Sequence, residues 1–400
     1  EVKDLLLNEI KKLRAGEFDE KMLQANINNF KLYELQSMES NEGRADIFVN
    51  SFINGTNWED EVTAIDRMAK LTKEDIVAFA DKYLKEDNYA VVYKKQGKDP
   101  NEKKMTKPEI TPIVSNRDVA SPFLTSIQEN AVKPIEPVFL DFKKDMSQLT
   151  AKSDIPVLYK QNTTNDLFQL IYVFDMGNNN DKALGTAFDY LEYLGTSDMT
   201  PEELKSEFYR LACTFYVSPG NERTYVVLSG LNENMPAAMQ LFEKLLADAQ
   251  VNKEAYDNLV GDILKARADA KLNQGQNFSR LMNYAMYGPK SPATNLLTEA
   301  ELASMNPQEL VDRIHNQNNY KHRILYYGPS SSKDLLATID QYHQVPATLK
   351  DIPAGNEYSY LETPATKVLV APYEAKQIYM AQISNLDKKY DPAIEPTREL

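Results

Sequence analysis

The chain has 400 residues, 42% of them hydrophobic and 26% charged, and carries a net charge of −14. That length exceeds one compact core, so two or more domains are expected. The acidic balance without a basic block argues against nucleic acid or anionic membrane as a partner, and no run reaches the roughly 18 apolar residues of a membrane span.

In chain order, apolar positions at helical spacing predict a helix over 2–15, closed by Gly16. Asp19 can cap a second helix through Met22, Leu23, Ile27, Phe30 and Tyr33. NWEDEVTAIDRMAKL predicts a shorter helix that buries Trp58, Val62, Ile65 and Met68. Thr72 and Asp75 open another over KEDIVAFADKYL, and NYAVVYKK reads as a strand. From about 96 to 150, Pro100, Pro108, Pro112, Pro122, Pro134 and Pro137 break the pattern. They predict an extended linker that cannot belong to a regular sheet, either a disordered tether or a strap packed across a domain.

A new unit opens with IPVLYK, a polar turn over 162–165 and LFQLIYVFDMG, which read as a hairpin. A helix over 182–194 follows. Thr200, Pro201 and Glu203 then supply an N-cap, a first-turn proline and a capping-box partner for the next. TFYVS and RTYVVLSG make a second hairpin. Helices are predicted over 235–249, 253–272, 276–287 and 307–316, then a closing strand HRILYYG and a helix KDLLATIDQYH.

Two internal echoes suggest tandem domains. LTKEDIVAFADKYLKEDNYAVVYKK (71–95) parallels MNPQELVDRIHNQNNYKHRILYYGP (305–329), and the hairpin VLYKQNTTNDLFQLIYVF parallels VLVAPYEAKQIYMAQI (368–383). The chain therefore reads as the tail of one unit, a linker over about 96–150, a complete unit and the head of a third. Both ends read as cuts through a longer protein.

The residues show no complete catalytic set. His315, His322 and His343 are the only histidines, none has a partner at metal-ligand spacing, and all three read as helix-cap or surface residues. Cys213, the one cysteine, sits among apolar neighbours and reads as a buried structural thiol. It allows no intramolecular disulfide, which fits a reducing compartment or a large exported enzyme. Serines 330–332 supply a helix N-cap rather than a phosphate loop, and KLNQGQNFSRLMNY is either a polar binding loop or a solvated helix break.

The stretch FDYLEYLGTSDMTPEELKSEFYRLACTFYVSPGNERTYVVLSGL, with MNYAMYGPKSPATN and LYYGPSSSKDL in order after it, resembles the insulinase/pitrilysin family of zinc peptidases. The resemblance implies an α+β fold of tandem domains, each a largely antiparallel sheet packed with several helices. On it, 1–95 ends a second domain, 96–150 joins two halves, 151–345 is a degenerate third domain and 346–400 begins a fourth. The family's inverted zinc motif H-x-x-E-H falls on Asp189 and Tyr193 for the two histidines and on Glu192 for the base, with the later glutamate ligand near Asp262. Two imidazoles at i and i+4 clamp zinc while the glutamate deprotonates its water. Here the base position survives without its nitrogen ligands, so no catalytic, cofactor or metal residue is assigned.

The resemblance thus implies the non-catalytic, substrate-enclosing C-terminal part of a bacterial zinc metalloendopeptidase. Zinc would belong to an N-terminal catalytic half, which would be this chain's partner along with peptide substrates. An alternative is an inactive family member acting as scaffold or assembly subunit; a weaker one is a single-unit enzyme with an unrecognised site in 151–345. Periplasmic localisation is expected, with the cytoplasm as alternative. Apolar edges at 1–15 and 360–385 suggest a homodimer of the isolated chain.

Overall fold

The computed structural model describes residues 2–94, 96–97, 105–113, 115, 119–385 and 391–393. Their first stretch holds α1 (Val2–Ala15), α2 (Lys21–Ser37), α3 (Asn41–Asn54), α4 (Trp58–Val62), α5 (Ala64–Met68), α6 (Lys73–Tyr83) and α7 (Pro122–Gln128). Next come β1 (Ser147–Ala151), β2 (Ile155–Gln161), β3 (Leu167–Phe174), α8 (Leu184–Leu191) and α9 (Pro201–Arg210). β4 (Cys213–Pro219) and β5 (Thr224–Leu231) lead into α10 (Met235–Asp248), α11 (Lys253–Lys271) and α12 (Gln274–Tyr287). α13 (Glu299–Ser304), α14 (Gln308–Asn316), β6 (Arg323–Gly328) and α15 (Ser332–Tyr342) complete the set. The fold is α+β, as the sequence suggested.

Capping explains where many helices start. Thr200 accepts from the Glu203 N–H while the Glu203 carboxylate accepts from the Thr200 N–H, satisfying two orphan donors at α9. Thr298 and Glu301 make the same box at α13, and Ser331 caps α15. Asn252 and Asn273 cap α11 and α12, so the Asn/Gln-rich stretch is a capped break between two helices.

The six strands form one sheet in the order β1-β2-β6-β3-β5-β4. All neighbours are antiparallel except β2 and β6. Side chains alternate across a strand, so Phe168, Leu170, Tyr172 and Phe174 of β3 share one face with Val226 and Leu228 of β5. That face joins the main core with Phe242, Leu245 and Met239 of α10 and Leu310, Val311 and Ile314 of α14. Leu167 and Leu231 have the opposite parity and pack with Leu32 of α2 on the other face. Asn29 fixes this helix further, donating to the Tyr209 carbonyl at 2.7 Å.

The chain divides into two compact units. One comprises residues 1–17 and 74–145, where Arg14 pairs with Asp81 at 2.7 Å. The other comprises residues 18–73 and 146–400 and holds the whole sheet.

Several local expectations are corrected. IPVLYK and LFQLIYVF are not a hairpin: β6 lies between them, parallel to β2 and antiparallel to β3. A six-residue strand distant in sequence satisfies both edges better than a two-strand pairing would. The proline-rich segment does reach the sheet, since its last residues form β1, and it also contains α7. Described residues 88–94 form no strand, and Val92 is 94% exposed. Neither does 368–383 form a hairpin; Val368, Val370, Ile378 and Met380 face solvent. A β-rich composition without a neighbouring strand has no ladder to complete its hydrogen bonds. Trp58 and Val62 are exposed rather than buried, and Trp58 stacks on Phe48 with ring centroids 4.7 Å apart. The helix α3, which supplies Phe48, was not anticipated.

Candidate functional site

The stretch that resembles a zinc motif lies at the end of α8. Leu184, Ala187, Phe188, Tyr190 and Leu191 bury the inner face of this helix. The Tyr190 hydroxyl donates to the Asn252 carbonyl at 2.6 Å and accepts from the Asn252 N–H, fastening the end of α8 to the start of α11. Asp189, Glu192 and Tyr193 fall on the exposed side. Surrounding protein, and then the Glu192 carboxylate, raise the Asp189 carboxyl above its ordinary range.

The helix stops before the motif does. Glu192 is its C-cap, and the Tyr193 N–H bonds back only three residues, to Tyr190. Position 193 therefore lies past the regular turn that would stack it over position 189. An open groove of about 300 Å3 brings Tyr193 together with Asp262, Glu202, Lys205 and Asn258. The groove thus joins two of the four motif positions, Tyr193 and Asp262, and is lined by neither Asp189 nor Glu192. A set of carboxylates and a phenol without imidazole suits zinc poorly, since catalytic zinc sites pair a carboxylate ligand with histidine nitrogens. Among the described residues no group of three or more His, Cys, Asp or Glu side chains is placed to hold a metal ion.

Two of the histidines depart from the surface reading. His343 is fully buried and His322 nearly so. His343 Nδ1 lies 2.6 Å from Glu243 Oε1, and its Nε2 lies 2.8 Å from His322 Nε2. His322 Nδ1 faces the Tyr320 carbonyl at 2.7 Å. Glu243, itself fully buried on α10, also accepts from the Tyr172 hydroxyl at 2.9 Å, the Asn318 amide at 2.9 Å and the Gln344 N–H at 3.0 Å. Burial, and after it His343, hold the His322 imidazole down to about 4. Burial first, and then the Glu243 carboxylate, raise the Tyr172 phenol well above its usual range. His315, by contrast, ends α14 and reaches the Ala249 carbonyl at 3.1 Å.

No motif spacing announces this cluster, because its members come from positions 172, 243, 318, 322 and 343. One signal was present: Glu243 interrupts the apolar face of α10 between Met239, Phe242 and Leu246, where a carboxylate needs a buried partner. Cys213 is the buried thiol the sequence suggested, pushed up to about 12 by burial. A thiolate is out of reach there.

No protein-family model matches the sequence, and no curated protein matches it. Solved structures do share features of the fold. A peptidase M16 inactive domain from Pseudomonas fluorescens matches at 16% identity and TM-score 0.46, over 53% of this chain and 54% of that one. The periplasmic protease PqqL from Escherichia coli matches at 12% identity and TM-score 0.49, over 87% of this chain and 43% of that one. The ferredoxin protease FusC, a mutant in complex with Arabidopsis ferredoxin, matches at 10% and 0.48, over 88% and 42%. The chain spans about half the length of these proteins. Among the described residues no helix is long and apolar enough to cross a membrane.

Proposed function

We propose that the chain is the non-catalytic, substrate-enclosing part of an insulinase/pitrilysin-type zinc metalloendopeptidase. The observation that carries this reading is the end of α8, where Glu192 stands at the base position while Asp189 and Tyr193 replace the imidazoles and the helix ends at residue 192. A carboxylate without a metal has no bound water to activate, so the residues of this site bind or enclose rather than cleave. The partner in this reading is a zinc-bearing N-terminal half, and the substrates are peptides. The residue assignment in tandem domains (1–95, 96–150, 151–345, 346–400) and a periplasmic location belong to the same proposal.

The test is direct. The purified chain should hold no stoichiometric zinc and cleave no fluorogenic peptide, and cleavage should appear when a zinc-bearing half is added. Stoichiometric zinc with chelator-sensitive cleavage by the chain alone overturns the proposal.

A further inference from the structure

We propose that Glu243, His343 and His322 form an acid-released latch that holds residues 343–352 on the core of the sheet-bearing unit. The argument starts from which atoms can donate. A carbonyl oxygen only accepts, so His322 Nδ1 carries a hydrogen toward Tyr320. In a neutral His322 ring the Nε2 atom is then an acceptor, and His343 Nε2 must donate across the 2.8 Å contact. The 2.6 Å contact between His343 Nδ1 and Glu243 Oε1 needs a further hydrogen, carried by the imidazolium or by the carboxyl. Every contact in the row is satisfied at one level of protonation only. One proton more places an N–H against an N–H between the two imidazoles. One proton fewer leaves a lone pair facing either a lone pair or a carboxylate.

The cluster is tied to a defined segment. His343 is the residue after α15, and the Gln344 N–H binds the same Glu243 carboxylate. Beyond it, the Ser153 hydroxyl donates to the Pro346 carbonyl at 2.7 Å, and Lys350 pairs with residues 319 and 321 beside the start of β6. Val345, Leu349 and Ile352 pack partly buried against the core. Few apolar side chains hold this stretch, so the buried polar row is a large share of what fastens it.

Groups on the surrounding elements leave the row isolated. β3 contributes Tyr172, α10 contributes Glu243, and the turn before β6 contributes Asn318 and His322. Charges on these elements and on the helices packed beside them are engaged elsewhere: Lys244 with Asp198, Asp248 with Ser197, Lys321 with Asp351, Arg323 with Asp175, Asp340 with the Lys152 N–H and Arg313 with Asp181. Among the described residues, Glu243 is the one carboxylate hydrogen-bonded to the row. Asn318 Oδ1 and both polar atoms of the buried Gln317 amide meet no partner among the described residues, so water entering at this point finds groups ready to bind it.

Hydrogen exchange of the full chain at about pH 7 and about pH 4.5, corrected for intrinsic rates, tests the latch. Peptides covering 343–352 should lose protection by about tenfold or more at the lower pH, while β3 and β5 keep theirs. His322→Gln keeps an acceptor for His343 and a donor for Tyr320 but cannot titrate, so it should hold the segment at both pH values. Unchanged protection of 343–352 in the native chain at the lower pH overturns the proposal, as does a variant that releases the segment in parallel with it. Should the variant fail to fold, the imidazole titration of His322 read by NMR decides: midpoints well below 6.5 support the latch, and a midpoint at or above 6.5 ends it.

Discussion

Replacing Glu243 by Gln perturbs one atom and tests whether the buried row supports the fold. The Glu243 carboxyl group makes four hydrogen bonds, two at each oxygen: Tyr172 and His343 at Oε1, Asn318 and the Gln344 N–H at Oε2. An amide keeps one of those oxygens and turns the other into a donor. With its nitrogen at the Oε2 place, two buried donors, the Asn318 amide and the Gln344 N–H, lose their acceptor; with it at the Oε1 place, the amide can donate to a neutral His343 ring and only the Tyr172 hydroxyl hydrogen is left unmet. Each unsatisfied buried group costs roughly 1–3 kcal/mol. Glu243 and His343 are both fully buried, so solvent cannot step in, and about 1–3 kcal/mol follows for the orientation that leaves one donor unmet. Urea unfolding followed by far-ultraviolet circular dichroism reads that loss. A change below about 1 kcal/mol would refute the reasoning, because it would mean that the row is not closed as its distances indicate.

Acid should destabilise the chain through His322. Its imidazole is held at about 4 against an ordinary 6.5, so between those values the unfolded chain binds more protons than the folded one and stability falls as pH falls. The native chain should lose about 3 kcal/mol more than His322→Gln on going from pH 7 to 4, and equal losses in urea titrations would contradict the sign. Gly230→Ala should cost about 3 kcal/mol and lower the melting temperature, since φ is 148° and a Cβ would lie 2.3 Å from the Ala212 carbonyl and 2.8 Å from Cys213 Sγ; an unchanged melt would show that β4 can give way. Rebuilding the motif with Asp189→His and Tyr193→His should yield only weak zinc binding by calorimetry, because residue 193 lies beyond α8; tight stoichiometric binding would place both imidazoles on one face after all.

Signals that act over a few residues were legible in the sequence. The Thr200–Glu203 box, the helices over 2–15, 235–248 and 253–271, and the β4–β5 hairpin all depend on neighbours within one turn or one strand. What escaped was set by distant partners. The polar turn after IPVLYK looks like a hairpin loop whether or not another strand is inserted, and only the position of β6 decides. NYAVVYKK has strand composition, yet its residues 88–94 pair with no strand among the described residues. Histidines 322 and 343 are 21 residues apart and meet directly, and the second also meets a glutamate 100 residues upstream of it, distances at which spacing carries no information.

The place of β6 has a consequence for synthesis. A nascent chain that has produced everything up to α14 holds two separate ribbons, β1–β2 and β3–β5–β4, each with an open edge where β6 belongs. The residues that seal them emerge about 150 positions after β3, so the sheet closes only once nearly all of the unit has left the ribosome. Until then both edges can recruit another chain, and a chaperone that shields them has its work between the appearance of Phe174 and that of Arg323.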